Sequence, residues 1–181
     1  KTSKMKVTVI TGSAHKNGTS ALMAEKFIEG ATEAGHEVFR FDAGLKNIHG
    51  CVGCETCSTM HEGCVFKDDM LELNPHILEA DVIVFASPIY YYNINAQTKA
   101  VMDRFHANNS ALLGNKKAAL LVTMAGDKDS AEGAVVFFKN YCKYMKWENL
   151  GVIAAKNSWI REYLEESEFP NQAYKLGKNL K

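Results

Sequence analysis

Net charge is what this 181-residue chain most plainly lacks: 21 Lys and Arg cancel 21 Asp and Glu. No basic cluster breaks that balance, so the chain has no electrostatic footprint for nucleic acid or for an anionic membrane surface. Long apolar runs are also missing, and the longest are far too short to cross a bilayer. There is no internal repeat and no low-complexity tract. A secretory signal is not expected either, because the first strand reads from Lys6; Lys1 to Lys4 read as a leader or remnant ahead of a start at Met5. Five cysteines are an odd number, and their spacing suits ligation better than a disulfide framework. A reducing cytoplasm is the setting this implies.

What is present is the composition of one ordinary globular domain, 46% hydrophobic and 23% charged. A single domain over residues 1–181 is expected, since a chain of this length buries a proper core. Short β-branched or apolar runs at 7–11, 37–41, 82–86, 118–123 and 150–155 predict five strands. Helical patterns lie between them. Thr19 or Ser20 caps a helix with an apolar stripe of Ala24, Phe27, Ile28 and Ala31, ended by Gly35. Asp68 and Asp69 can cap a helical stretch that Pro75 interrupts, with Asn74-Pro75 opening a new short helix. Ala96 to Phe105 reads as helix. Ala134, Phe138, Tyr141, Cys142 and Met145 mark the buried face of another, and the tail from Gln172 is a further helix. The alternation predicts an α/β fold: a three-layer sandwich on a five-stranded parallel sheet, order 2-1-3-4-5.

In such a sheet the ligand loops leave the carboxyl ends of the strands. The first, Gly12-Ser-Ala-His-Lys-Asn-Gly18-Thr-Ser20, offers two glycines, three hydroxyls and Lys16 ahead of a helix N-terminus, a setting that binds phosphate. It has neither the G-x-x-x-x-G-K-[ST] order of a nucleoside triphosphatase nor the G-x-G-x-x-G of a dinucleotide fold. The second, Ser87-Pro-Ile-Tyr-Tyr-Tyr-Asn93, carries three consecutive tyrosines that are hard to bury together; at least one should face a ligand or a partner chain. The third, Thr123-Met-Ala-Gly126-Asp127, again brings a hydroxyl and a glycine. Together these loops suit a flat ring with a phosphate tail.

The remaining signal is Cys51-x2-Cys54-x2-Cys57-x6-Cys64. Four thiolates so close are costly to hold unless something binds them, or unless they stay protonated. An iron–sulfur cluster, structural zinc and free thiols are all open on the spacing.

The order GSAHKNGTSAL, CVGCETC, GCVFKDDM, ADVIVFASPIYYYNINAQTKAVMDR resembles the NAD(P)H-dependent FMN reductase and iron–sulfur flavoprotein branch of the flavodoxin-like superfamily, from Met5 to Asp127. The resemblance implies non-covalent FMN. It implies that Ser13, Lys16, Gly18, Thr19 and Ser20 surround the phosphate. Pro88, Ile89, Tyr90, Tyr91, Tyr92 and Asn93 would line the ribityl chain and ring, with Gln97 near that loop. Thr123, Met124, Ala125 and Gly126 would touch the ring from its other side. His15 stands where the family often has arginine. The cysteine spacing resembles the family's compact cluster motif, with Cys51, Cys54, Cys57 and Cys64 as ligands of a [4Fe–4S] cluster; the gap before Cys64 is longer than in the bacterial ferredoxin run and no proline follows it.

The function this implies is an oxidoreductase that passes electrons from NAD(P)H, or another donor, through FMN to a small-molecule or protein acceptor. No general acid or base is named, because the flavin carries the chemistry. Such proteins are homodimers or homotetramers, and the tyrosine run and cysteine loop are the candidate contacts. The competing classes are an electron carrier between proteins, a zinc-stabilised binding module, and a response-regulator-like domain. The last would need acidic strand ends where this chain has Thr11-Gly12-Ser13 and Ser87-Pro88.

Overall fold

The computed structural model describes residues 3–61 and 63–181; residues 1 and 2 of the expected leader lie outside them. Five parallel strands form the sheet: β1 (Lys6–Thr11), β2 (Glu37–Asp42), β3 (Val82–Tyr90), β5 (Lys117–Thr123) and β6 (Glu148–Ala155), in the order β2-β1-β3-β5-β6. The two-residue β4 (Asn93–Ile94) turns back antiparallel on the end of β3. Counting only the parallel strands, this is the 2-1-3-4-5 order read from the sequence.

The alternation of side chains sorts the core into two halves. Ile10, Ile83, Phe85, Leu120 and Val122 face α3 (Met70–Glu79), α4 (Ala96–Arg104) and α6 (Glu132–Met145). Val7, Val9, Val84, Ala86 and Leu121 face α1 (Thr19–Glu33) and α8 (Phe169–Lys178). Central β3 is buried on both faces from Val82 to Ser87, which is why its sequence shows no polar alternation. Helices α1 and α8 touch through glycine. A Cβ on Gly30 would enter the backbone of Tyr174 and Lys178, and one on Gly177 the backbone of Phe27 and Ala31.

Four local expectations are corrected. Strand β3 does not stop at Ala86. Ser87 and Pro88 still pair with Val122 and Thr123, and Ile89 and Tyr90 pair with β4, so half of the expected tyrosine loop is extended backbone. Pro75 does not split its helix; α3 runs straight through it. Met70, Leu73 and Ile77 are buried on one face and hold the turn that lacks the proline's hydrogen bond. Neither Thr19 nor Ser20 caps α1: Gly18 occupies that place and no side chain caps it. The terminal helix begins at Phe169, three residues before the expected Gln172, with Pro170 in its first turn.

Buried Cys142 lies on the core face of α6, and burial raises its thiol to about 11. It is a small apolar side chain at neutral pH. No helix among the described residues is long and apolar enough to cross a membrane.

Candidate functional site

Four strand ends build a cleft of about 740 Å3 at the carboxyl edge of the sheet, inside the range of about 300–1,000 Å3 usual for small-molecule sites. From the loop after β1 come Ser13, His15, Lys16, Asn17 and Gly18, with Thr19 and Ser20 of α1. Pro88, Ile89 and Tyr90 line it from the end of β3, and Thr123, Met124 and Ala125 from the end of β5. Ser158 to Glu162 close it from beyond β6.

The first loop is fixed rather than draped. Gly12 donates its N–H to Ala86 C=O (2.8 Å) and accepts from Asn95 Nδ2 on its own C=O (2.7 Å). Asn95 also caps α4, its side-chain oxygen accepting from Thr98 N–H (3.2 Å), and donates its own N–H to Ser87 Oγ (3.0 Å). A Cβ on Gly12 would run into Asn95 and the Thr98 hydroxyl, so only glycine lets the loop lie this close. The first helical bond of α1 is Leu22 N–H to Gly18 C=O (3.2 Å). The amides of Thr19, Ser20 and Ala21 therefore precede any helical acceptor and carry the positive end of the helix dipole. Behind them Thr19 Oγ1 donates to Thr123 Oγ1 (2.9 Å), and Ser20 Oγ lies 3.1 Å from the same atom. Ser20 is buried, and its hydroxyl is engaged with Thr123.

Sequence reasoning missed the fourth wall. Arg161 donates to Asn17 C=O (3.3 Å), Glu25 (3.0 Å) and Glu165 (2.8 Å), tying α7 (Arg161–Glu165) to the first loop. Lys16 is thus not the only cation in the cleft, although two carboxylates already neutralise Arg161. Trp159 is 65% exposed and packs against Tyr163 at 5.8 Å between ring centroids, giving the rim a flat apolar edge. The signal was available: this segment follows the carboxyl end of the fifth parallel strand, as the other loops follow theirs.

Not every candidate joins the cleft. Tyr91 and Tyr92 form the two-residue tip between β3 and β4, with φ of 47° and 67°. Both angles suit the type I′ turn, which ordinarily takes Asn-Gly. The left-handed region costs a bulky residue about 1–2 kcal/mol. Tyr91 is 99% exposed and Tyr92 69%, and neither lines the cleft. Asn93 is spent on the N–H of Ile94 (2.8 Å), Gly126 accepts from Asn157 N–H (3.1 Å), and Gln97 is exposed on α4.

Cys51, Cys54, Cys57 and Cys64 all line a second cavity, together with Phe66, Asp103, Arg104 and His106. Cys51 and Cys54 are exposed, and Cys57 and Cys64 are half-buried. The thiols surround the cavity without converging: among the described residues, no three His, Cys, Asp or Glu side chains are arranged to hold a metal ion. Gly53, Glu55, His61 and Gly63, all at positive φ, punctuate the loop between them. The Thr56 hydroxyl, 3.4 Å from Cys54 Sγ, and the Thr56 amide hold that thiol below its ordinary pKa. In kind, four soft sulfur donors beside a guanidinium fit an iron–sulfur core, whose thiolate cage is anionic.

Residues 5–153 match the NADPH-dependent FMN reductase family. An iron-sulfur flavoprotein of Archaeoglobus fulgidus is 35% identical over 65% of this chain and 54% of its own length. One of Methanocaldococcus jannaschii is 32% identical over 71% of this chain and 65% of its own. The match thus spans about half to two thirds of these curated relatives. Among solved structures, an NAD(P)H:quinone oxidoreductase from Methanothermobacter marburgensis superposes with a TM-score of 0.76 at 17% identity, covering 99% of this chain and 97% of that one. A flavone reductase gives 0.72 at 22% identity over 97% and 61%. At these identities the structural likeness speaks for the fold alone.

Proposed function

Since this chain belongs to the NADPH-dependent FMN reductase family, we propose that residues 1–181 are one FMN-binding unit and that it works as an FMN-dependent oxidoreductase. The observation that carries the reading is the cleft in which free helix amides, loop hydroxyls and flat apolar walls meet. Bound FMN would supply the redox chemistry between a reduced nicotinamide and an acceptor. The protein's part is to bind and orient. The amides of Thr19, Ser20 and Ala21 and the side chains of Ser13 and Lys16 receive the phosphate, and Thr19 joins them by turning its hydroxyl from Thr123. Pro88, Ile89 and Tyr90 on one side, and Thr123, Met124 and Ala125 on the other, keep water from the ring. Tyr91, Tyr92, Asn93 and Gly126 act at second hand, by shaping the ends of those two walls. NAD(P)H is the donor, and a small molecule or a protein is the acceptor.

The shared thiol cavity favours a second cofactor in the same protein. In this reading Cys51, Cys54, Cys57 and Cys64 hold a [4Fe–4S] cluster, which supplies a one-electron route, and the chain acts as an electron carrier between proteins. Five free cysteines accord with a reducing compartment such as the cytoplasm. The exposed tyrosine tip and the cysteine loop are the contacts proposed for a homodimer or homotetramer.

The visible spectrum of anaerobically purified protein tests both cofactors. Flavin bands near one per chain are expected, and iron and acid-labile sulfide per FMN report the cluster. A colourless protein with one zinc would overturn the reading. A flavin-loaded protein without iron or sulfide would leave a simple FMN reductase.

A further inference from the structure

The cysteine loop leaves the fold at His49 and returns at Phe66, and one side chain from another element grips both ends. Arg104, the last residue of α4, donates from Nη1 to His49 C=O (2.8 Å) and from Nη2 to Phe66 C=O (3.2 Å). The same two nitrogens fork onto Asp68 at 2.6 and 3.1 Å. Asp68 in turn accepts from the amides of His49 (2.9 Å) and Met70 (3.1 Å), so the carboxylate closes the neck from the other side. The rings of His49 and Phe66 stack at 3.9 Å across the neck, and the guanidinium lies 5.3 Å over Phe66. The side chains of Arg104 and Asp68 are 2% and 8% exposed.

This is more than a surface ion pair. A fork that reads two backbone carbonyls and one carboxylate needs the planar geometry of arginine, which lysine does not supply. Arg104 also forms part of the wall of the thiol cavity, with Cys64 as a neighbour of its guanidinium. Its Nε is buried without a hydrogen-bond partner among the described residues. The residue thus sets a fixed cation in the wall where an anionic group held by the cysteines would sit.

We propose that Arg104, anchored by Asp68, is the positioning residue of the cysteine site: it latches both ends of the 49–66 loop and sets a permanent positive charge against whatever the thiols bind. The first role stands on geometry alone. The second rests on the cluster reading above. A cation beside a redox centre favours its reduced, more negative state, so the charge of Arg104 raises the midpoint potential of that centre.

The experiment compares the parent protein with Arg104→Lys and Arg104→Met, prepared anaerobically. Amide hydrogen exchange is followed across 49–66, with β3 as internal control, and iron, sulfide and FMN content are measured. In both variants exchange across 49–66 is expected to quicken by about tenfold or more, because breaking a buried pair frees the segment it holds. FMN content and β3 protection should stay at the parental level while iron and sulfide per FMN fall. In the cluster that remains, the midpoint potential is expected to drop in Arg104→Met and to be largely kept in Arg104→Lys. That rescue by charge is a result a purely structural arginine would not give. Parental exchange rates across 49–66 in both variants would overturn the latch, and an unchanged potential in Arg104→Met would overturn the electrostatic role. If the parent itself holds neither iron nor sulfide, the cluster reading falls, and the exchange comparison still decides the latch. Should Arg104→Met lose β3 protection, Asp68→Asn, which leaves the guanidinium in place, gives the same exchange test.

Discussion

At the scale of single residues, the end of the cleft proposed for the phosphate rests on main-chain amides supported by three hydroxyls. Thr19 and Ser20 both reach Thr123 Oγ1, so their removal strips the amides of support and the cleft of one hydroxyl donor. Replacing both with Ala is expected to weaken FMN binding by about 1.5–3 kcal/mol for each bond to the charged phosphate that is lost. A fluorescence titration with FMN reads this directly, and parental affinity would mean that the phosphate sits elsewhere. Ser13, Lys16, Gly18 and their neighbours were legible because a glycine-and-hydroxyl loop between strand and helix is a local pattern. Arg161 and Arg104 were not. Arg161 meets Asn17 across 144 positions of chain, and Arg104 meets Asp68 across 36. Nothing in the neighbourhood of either arginine announces its partner.

At the scale of elements, strands were the easiest to read. A run such as Val82-Ile-Val-Phe-Ala is apolar on both faces because both faces are covered. The extension of β3 to Tyr90 was hidden, since it depends on pairing with β4 and β5 that the local sequence does not encode. The continuity of α3 was hidden for a related reason: tertiary packing of Leu73 and Ile77 overrides a proline that would break an isolated helix. The end of α6 offers a test. Trp147 N–H bonds Cys142 C=O (3.0 Å) in a Schellman closure, and Lys146 occupies the left-handed position at φ 56°. Glycine has no Cβ to strain there. Lys146→Gly is expected to stabilise the protein by about 1 kcal/mol, seen as a higher urea midpoint with an unchanged slope.

At the scale of the whole molecule, the sheet order was legible and the loop-closing electrostatics were not. Burial pushes the Asp68 carboxyl up, but Arg104 and the amides of His49 and Met70 more than offset this and hold its pKa below the ordinary value, which is about 3.9 in the unfolded chain. A carboxylate depressed on folding contributes stability that is complete above its unfolded pKa. That contribution is lost as pH falls through the folded value. The urea midpoint is therefore expected to be level from neutral pH down to about pH 5 and to decline below about pH 4. In Asp68→Asn much of that acid decline should vanish, along with some stability at neutral pH.

The glycine crossing of α1 with α8 also constrains how the molecule is made. Synthesis delivers α1 early, but the helix that covers Phe27 and Ala31 begins only at Phe169. At about 5–20 residues per second, translation leaves an interval of roughly seven to thirty seconds between the two. Throughout it, the first helix has a sheet edge to lean on and no partner helix. The fourth wall of the cleft, Ser158 to Glu162, leaves the ribosome just as late. A chain stalled after β5 would therefore carry an exposed apolar face and an unfinished pocket, a substrate for chaperones and proteases before it is a receptor for any cofactor.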